Sequence, residues 1–274
     1  MSTIAVNINR IARTAAGAAL ALLFTVSIEV SHAQDNEVDP AVAENAKMML
    51  KAMSDYVGGQ QTVSFDFEAV FEVVTREDQK LALVSSGAVE LARPDKLHAR
   101  RSGGFADVEM FFDGQALTLV GKHANLFTRI PVDGSIDDLM DAMSTRFNRP
   151  VPAADLLTAD SYGQLIEDVT DIKDLGSGVV NGVECDHLAF RTEGVDWQIW
   201  IAQGDRPYPC RYSITSKTMA LHPPYSITIR NWNAGDQLAD GAFVFANDSN
   251  AEEIDPKDLE ARMSELPSNF KRGD

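Results

Sequence analysis

The chain has 274 residues, 45% of them hydrophobic, with a formal charge of −17 and only two cysteines. An acidic surface of this size repels polyphosphate and argues against nucleic acid as a partner. It also keeps a secreted chain soluble, and the length suits one large β domain or two small ones.

Arg10 and Arg13 precede the apolar or small stretch "AAGAALALLFTVSI" (15–28), and "SHA" (31–33) supplies small residues where signal peptidase reads. Residues 1–33 therefore read as a secretory signal peptide cut after Ala33. The run is shorter than the roughly 20 residues that span a bilayer, so no transmembrane anchor is expected. Without a cysteine at the cut, no lipid-modified N-terminus is expected either. The mature chain, 34–274, is expected to be a soluble periplasmic monomer. Loss of Arg10, Arg13 and Glu29 takes its charge from −17 to −18.

Asp39-Pro40 starts a helix over 39–59, with Ala46, Met49, Leu50, Met53 and Val57 at helical spacing and Gly58-Gly59 as its stop. In "TVSFDFEAVFEVVT" (62–75), Val63, Phe65, Phe67, Ala69, Phe71 and Val73 alternate with polar residues, the pattern of a strand with one wet face. Further strands are predicted at 81–93, 97–102, 107–114, 115–121 and 125–132, with Asp113-Gly114 as a hairpin turn. Ser135 caps a helix that carries Ile136, Leu139, Met140, Met143 and Phe147 on one face. A short helix follows near 153–157, and 161–168 reads equally as helix or strand. Strands resume at 178–193, 195–202, 209–217, 225–232 and 242–246, and Asp255-Pro256 starts a last helix over 255–266.

Strands fill both halves and no Pro-, Gly- or Ser-rich linker divides them. The expected fold is mainly β (α+β): one domain over 34–274, a single strongly curved antiparallel sheet, or half-barrel, with helices on its concave face. The lid is expected around 135–159. Such a sheet leaves room for a ligand-sized cleft.

"GAVELARPDKLHARRSGGFADVEMFFDGQALTLVGKHANLFTRIPV" (87–132) runs strand, Arg-Pro, strand, turn, strand, Asp-Gly, strand. This order resembles the LolA/LolB-like periplasmic lipoprotein carriers, as does the helix leading into a long amphipathic strand (41–75). "GVECDHLAFRTEGVDWQIWI" (182–201) is similar to predicted periplasmic proteins of unknown function in that superfamily. The resemblance implies a LolA-like half-barrel that carries or binds a lipid, or the acyl chains of a lipidated protein. The alternative is a sensor that uses the same cleft to detect envelope lipoproteins or stress. It also implies that Arg93, at the Arg-Pro step, contacts covering helices. An inner- or outer-membrane protein is a further expected class of partner. The longer second half, the two cysteines and the acidity depart from the carrier pattern.

Residue by residue, Val89, Leu91 and Arg93 share one strand face, so a guanidinium continues an apolar row. It needs acceptors: lid carbonyls, a ligand carboxylate or phosphate, or water beyond the strand end. The residues expected to line the cavity are Phe65, Phe67, Phe71, Val89, Leu91, Met110, Leu117, Leu119, Leu139, Met140, Met143 and Trp197. Methionines at 48, 49, 53, 140 and 143 suit a surface that repacks around varied acyl chains, or plain core. Cys185 and Cys210 are a candidate disulfide that can close only near a strand end, since a strand-like segment lies between them. Cys185 and His187 share a strand face, but no helix N-terminus or oxyanion hole lies near them, and no enzyme is expected. His98, His123, His187 and His222 lack zinc-ligand spacing, so neither metal nor cofactor is expected. Trp197 and Trp200 fall on opposite faces, one buried and one exposed beside Phe190.

Overall fold

A computed structural model describes residues 40–104, 107–145, 153–239 and 241–262. The expected signal peptide, the Asp39 cap, Phe147 and the end of the last predicted helix (263–266) lie outside the described residues.

Twelve strands form one sheet in the order β12-β6-β5-β4-β3-β2-β1-β11-β10-β9-β8-β7. A first meander comprises β1 (Thr62–Val74), β2 (Lys80–Ala92), β3 (Lys96–Gly103), β4 (Asp107–Phe112), β5 (Ala116–Gly121) and β6 (Leu126–Pro131). A second comprises β7 (Asp171–Val180), β8 (Val183–Arg191), β9 (Val195–Ala202), β10 (Pro209–Ser216) and β11 (Pro224–Ala234), and it returns so that β11 pairs with β1. All of these pairings are antiparallel. β12 (Glu252–Glu253) is added parallel to β6, so the sheet is not wholly antiparallel as the sequence suggests. The protein is a curved, mainly β half-barrel with few helices.

Those helices are α1 (Pro40–Gly58), α2 (Ile136–Thr145), α3 (Ser161–Ile166) and α4 (Leu259–Arg262), with 3-10 turns at Ala154–Leu157 and Pro256–Asp258. α1 buries Ala46, Leu50, Met53, Ser54 and Val57 along one stripe, against β7, β9, α3 and the first 3-10 turn. α2 starts in a capping box: the Asp138 amide donates to Ser135 Oγ at 3.2 Å, and Asp138 Oδ2 accepts from the Ser135 amide at 2.7 Å. Asp160 caps α3 by accepting from the Gly163 amide at 2.9 Å, which settles 161–168 as helix rather than strand.

Register lays the apolar side chains in rows across the concave face. One row runs Ile130, Leu117, Phe112, Leu97, Leu91 and Val63, and each of these is at most 5% exposed. Another runs Leu83, Phe71, Tyr225, Ile214, Trp197, Phe190 and Ile172. Between them Gly87 sits beside Phe67 and Arg101. Its missing side chain is what admits the Phe67 ring.

Three sequence expectations are corrected. The stretch 242–246 is turn and coil, not strand: its Phe245 packs on Phe111 and Phe127 as part of a tail across the convex face. The strand predicted from 178 begins at 171 and turns at Asn181-Gly182, both with positive φ. The helix expected from 255 opens instead as the 3-10 turn, capped by Asp255.

Gly87→Ala is expected to destabilise the fold by about 1–3 kcal/mol, because a methyl group there overlaps the Arg100 carbonyl and the Phe67 ring. Urea unfolding of the variant against the parent measures it.

Candidate functional site

Arg93 ends the row begun by Val89 and Leu91, just past the last residue of β2 and before a cis bond to Pro94. Its amide donates to Gln61 O at 2.8 Å, which fixes the backbone against the start of β1. Its side chain then reaches into the cover. Nε donates to Gln60 O at 3.2 Å, and one terminal nitrogen donates to Leu157 O at 2.8 Å and Val57 O at 3.5 Å. Val57 lies in the last turn of α1 and Gln60 two residues past its end, where the helix dipole favours a cation. Leu157 ends the 3-10 turn of the lid.

Pro94 extends the same anchorage, since its carbonyl accepts from the Ile136 amide at 2.8 Å and so pins the start of α2. At the second residue of α2, Asp137 accepts from the Ala159 amide at 3.1 Å and ties α2 to the segment after the 3-10 turn. The Arg-Pro step thus gathers α1, α2 and the lid turn at one corner of the sheet. Burial presses the Arg93 pKa downward, and the charge of Asp137 opposes that shift.

The lid turn carries a second polar contact with the sheet that sequence reasoning missed. Asp155 accepts from the Leu156 amide at 3.2 Å and from the Tyr212 hydroxyl at 3.4 Å. Tyr212 is 3% exposed and packs edge-on to Trp197 in the concave core. Burial pushes the Asp155 carboxyl above its ordinary range, against the pull of those two hydrogen bonds. Burial, then the nearby Asp155 charge, pushes the Tyr212 phenol well up; Tyr225 is pushed up to about 12, chiefly by burial. The signal was present in "AADLLT", an acid flanked by buried Ala154, Leu156 and Leu157. What it faces depends on tertiary packing.

Of the residues expected to line a cavity, Phe65, Phe67, Val89, Leu91, Leu117, Leu139, Met143 and Trp197 are at most 9% exposed and belong to the main core cluster. Met110, Leu119 and Met140 are half-buried, and Phe71 is 39% exposed. Concave-face Ala99 and Val108, and Leu83, Ile214 and Tyr225 in the row of Phe71, are half-buried too. The structure therefore seals the floor beside Arg93 and along the Leu188–Ile199–Tyr212 row, and leaves apolar surface part-covered on β2–β5 and β10–β11. Among the methionines Met53 is fully buried, Met49 half-buried and Met48 exposed.

Two clefts open elsewhere. One of about 220 Å³ lies on the polar side of β1–β3, lined by side chains such as Asp66, Glu90, His98 and Arg100. There His98 sits between Glu90 at 3.2 Å and Glu109 at 2.8 Å. Burial pushes Glu109 up, but Lys122 and His98 together outweigh it and hold the carboxyl low. The other, about 590 Å³, is bounded by Val180, Asn181, Val183, Tyr208, Cys210 and Arg230, among others. Among the described residues no three His, Cys, Asp or Glu side chains are placed to hold a metal ion together.

His187 does not engage Cys185: its ring stacks on Trp200, centroids 4.0 Å apart, and Nε2 pairs with Gln198 at 2.9 Å. Trp200 is half-buried between His187 and Arg211 rather than exposed. Phe190 stacks on Trp197, not beside Trp200, because alternation puts both on the concave face. Cys185 and Cys210 are buried with their sulfurs 2.7 Å apart.

A family model described as "Predicted periplasmic protein (DUF2092)" matches residues 46–256. The chain belongs to that family. Its location is the periplasm, and no helix among the described residues is long and apolar enough to cross a membrane. No curated protein matches the chain closely enough to stand as a relative. Among solved structures it is similar to the Mycobacterium tuberculosis lipoprotein LppX, 14% identical, over 72% of this chain and 99% of that one, at a TM-score of 0.38. An uncharacterized conserved protein from Thermus thermophilus is 9% identical over 77% of this chain and 98% of that one, at 0.46. A LolA superfamily protein from Nitrosomonas europaea is 11% identical over 73% and 97%, at 0.36.

Two measurements probe the corner. Arg93→Leu is expected to lower stability by about 2 kcal/mol and to speed amide exchange at 57–61 and 154–158 while β8–β10 stay protected. Asp155→Asn tests the buried carboxyl. A raised acid pKa favours the fold while the group is neutral, and that advantage is lost as pH rises through the folded-state pKa. The variant is therefore expected to melt higher than the parent at neutral pH, and the gap to close as pH falls toward about 4.

Proposed function

We propose that the protein binds a hydrophobic ligand, a lipid or the acyl chains of a lipidated protein, on the concave face, and holds or carries it in the periplasm. The observation that carries this reading is the part-covered apolar surface formed by Ala99, Val108, Met110 and Leu119 on one side and Leu83, Phe71, Ile214 and Tyr225 on the other. Apolar area withdrawn from water contributes about 25 cal/mol per Å², so a single chain laid along these rows binds without any specific polar contact. Met110 and Met140 adapt to chains of different shape.

The mechanism is physical. In the closed form the cover is clasped to the sheet by Arg93, whose acceptors are main-chain carbonyls. Lifting the lid turn exposes the buried floor next to the part-covered rows and lengthens the apolar track. Ligand binding then offsets the cost of opening, and release returns the guanidinium to its carbonyls.

Solvent extraction and mass spectrometry of protein purified from the cell envelope test the reading. Acyl lipids are expected to co-purify, and a fluorescent fatty acid to bind saturably. Leu83→Asp and Phe71→Asp are expected to weaken that binding at least about tenfold, or ~1.4 kcal/mol. Arg93→Leu is expected to speed both uptake and release. Neither co-purifying lipid nor saturable binding in the parent protein sinks the proposal.

A further inference from the structure

Cys185 and Cys210 stand on strands that flank β9, a separation no disulfide bridges in the middle of a sheet. The chain brings them together across the last residues of that strand. Cys185 is paired with Ala202, the last residue of β9, and Cys210 is the extra residue where the β9–β10 register slips between Pro209 and Arg211. The slip turns Cys210 toward its counterpart over the end of β9. Around them Val180, Val183, Ala202, Trp200 and Tyr208 close a small apolar cluster separate from the main core. Cys185 is 0% and Cys210 1% exposed, and each sulfur's nearest side-chain polar partner is the other.

We infer that Cys185 and Cys210 are joined as a disulfide in the exported protein, stapling β8 to β10 across the end of β9. Chemically, one thiolate attacks a disulfide donor of the envelope, either a thiol:disulfide oxidoreductase or an oxidised low-molecular-weight thiol, to give a mixed disulfide. The second thiolate attacks the protein sulfur of that mixed disulfide. An Sγ–Sγ bond forms, and the donor takes up the two electrons and, by way of solvent, the two cysteine protons, leaving as a dithiol if it is an oxidoreductase or as two thiols if it is a low-molecular-weight disulfide. Exchange belongs to the folding chain, before the cluster closes. Once buried, both thiols are held above their ordinary range, chiefly by desolvation, and make poor nucleophiles.

The bond closes a covalent loop over residues 186–209 and ties β8 to β10 where β9 ends. It stands independently of the ligand reading, because it rests on strand register and burial alone. A cross-link here makes one wall of the concave face rigid, while the wall at Arg93 is held by hydrogen bonds.

The test uses full-length protein purified from the envelope, unfolded in denaturant with an alkylating agent and no reductant. The expected result is no alkylation and an intact mass about 2 Da below the dithiol form, with two alkyl groups added after reduction. Peptide mapping should place 185 and 210 in one cross-linked fragment of a single chain. Reductant is expected to lower the melting temperature of the parent protein by roughly 5–10 °C and to leave a Cys185→Ala/Cys210→Ala double variant unmoved. Two alkylated thiols without reductant, or a cross-link between two copies, overturns the inference. The mass measurement decides it even if the double variant fails to fold.

Discussion

A guanidinium does not shed its charge inside a protein, so a buried or half-buried arginine must be met by acceptors or by water. Arg93 meets main-chain carbonyls, and they belong to the elements that cover the sheet rather than to the sheet itself. This choice of acceptor shapes the rest of the molecule. A carboxylate partner would give a stronger but side-chain-specific pair. Carbonyls at the end of α1 and in the lid turn place both elements at fixed height over β2, whatever their side chains do. Pro94 adds the start of α2 through its own carbonyl, and Asp137 ties α2 back to the segment after the lid turn. Two sequence neighbours thus organise three cover elements drawn from positions 57 to 159.

Much of this is legible in the order of residues alone. Strict alternation in 62–75 and 81–93 tells which face is apolar, and continuing that count to 93 exposes the arginine as an anomaly. The capping box at Ser135 marks the start of α2. Other features are not legible, for identifiable reasons. The stretch "DIKDLGS" of β7 lies on an edge strand with a register slip, and Ile172 is its one buried side chain, so it carries no alternation to read. The two-residue β12 owes its existence to β6 and to the Thr128 hydroxyl, which donates to Ile254 O at 2.9 Å. Neither partner is visible from "EE". The meeting of Cys185 with Cys210 depends on a bulge whose position no residue type announces. Asp155 reads as an ordinary acid in a short helix, and only the fold brings it to Tyr212.

The outer face follows a different logic from the inner one. Most of it is polar and laced by exposed pairs such as Arg191–Asp196 and Glu68–Arg230, which contribute little to stability individually. On β4–β6, however, Phe111, Val120 and Phe127 point outward and would leave an apolar patch on the outer face. The chain covers it with its own tail, setting Phe245 and Ala251 on those three side chains. The tail strand β12 also blunts the β6 edge, where unpaired backbone groups would otherwise invite another chain. The end of the sheet that is apolar on both faces is thereby covered on its outer side as well.

The two flanks of the concave face differ in how their covers are held, and the difference has a direction. α1 sets Leu50, Met53 and Val57 fully out of water against the β7–β9 flank, each contributing about 1.5–3 kcal/mol that is lost entirely on separation. The lid turn buries Ala154, Leu156 and Leu157, and its polar ties, Arg93 to Leu157 O and Asp155 to Tyr212, are exchangeable. The net cost of breaking such a tie is about 0.5–3 kcal/mol rather than the strength of the bond, toward the upper end where a buried partner is left unsatisfied. The Asp155 tie is weaker still, being a 3.4 Å contact to a carboxyl that burial already penalises when charged. The seam between the lid turn and the sheet thus rests on fewer buried apolar side chains than the seam under α1, and more on hydrogen bonds. It is also the seam that borders the half-buried rows of β10 and β11, so the two differently held covers meet where the part-covered apolar surface begins.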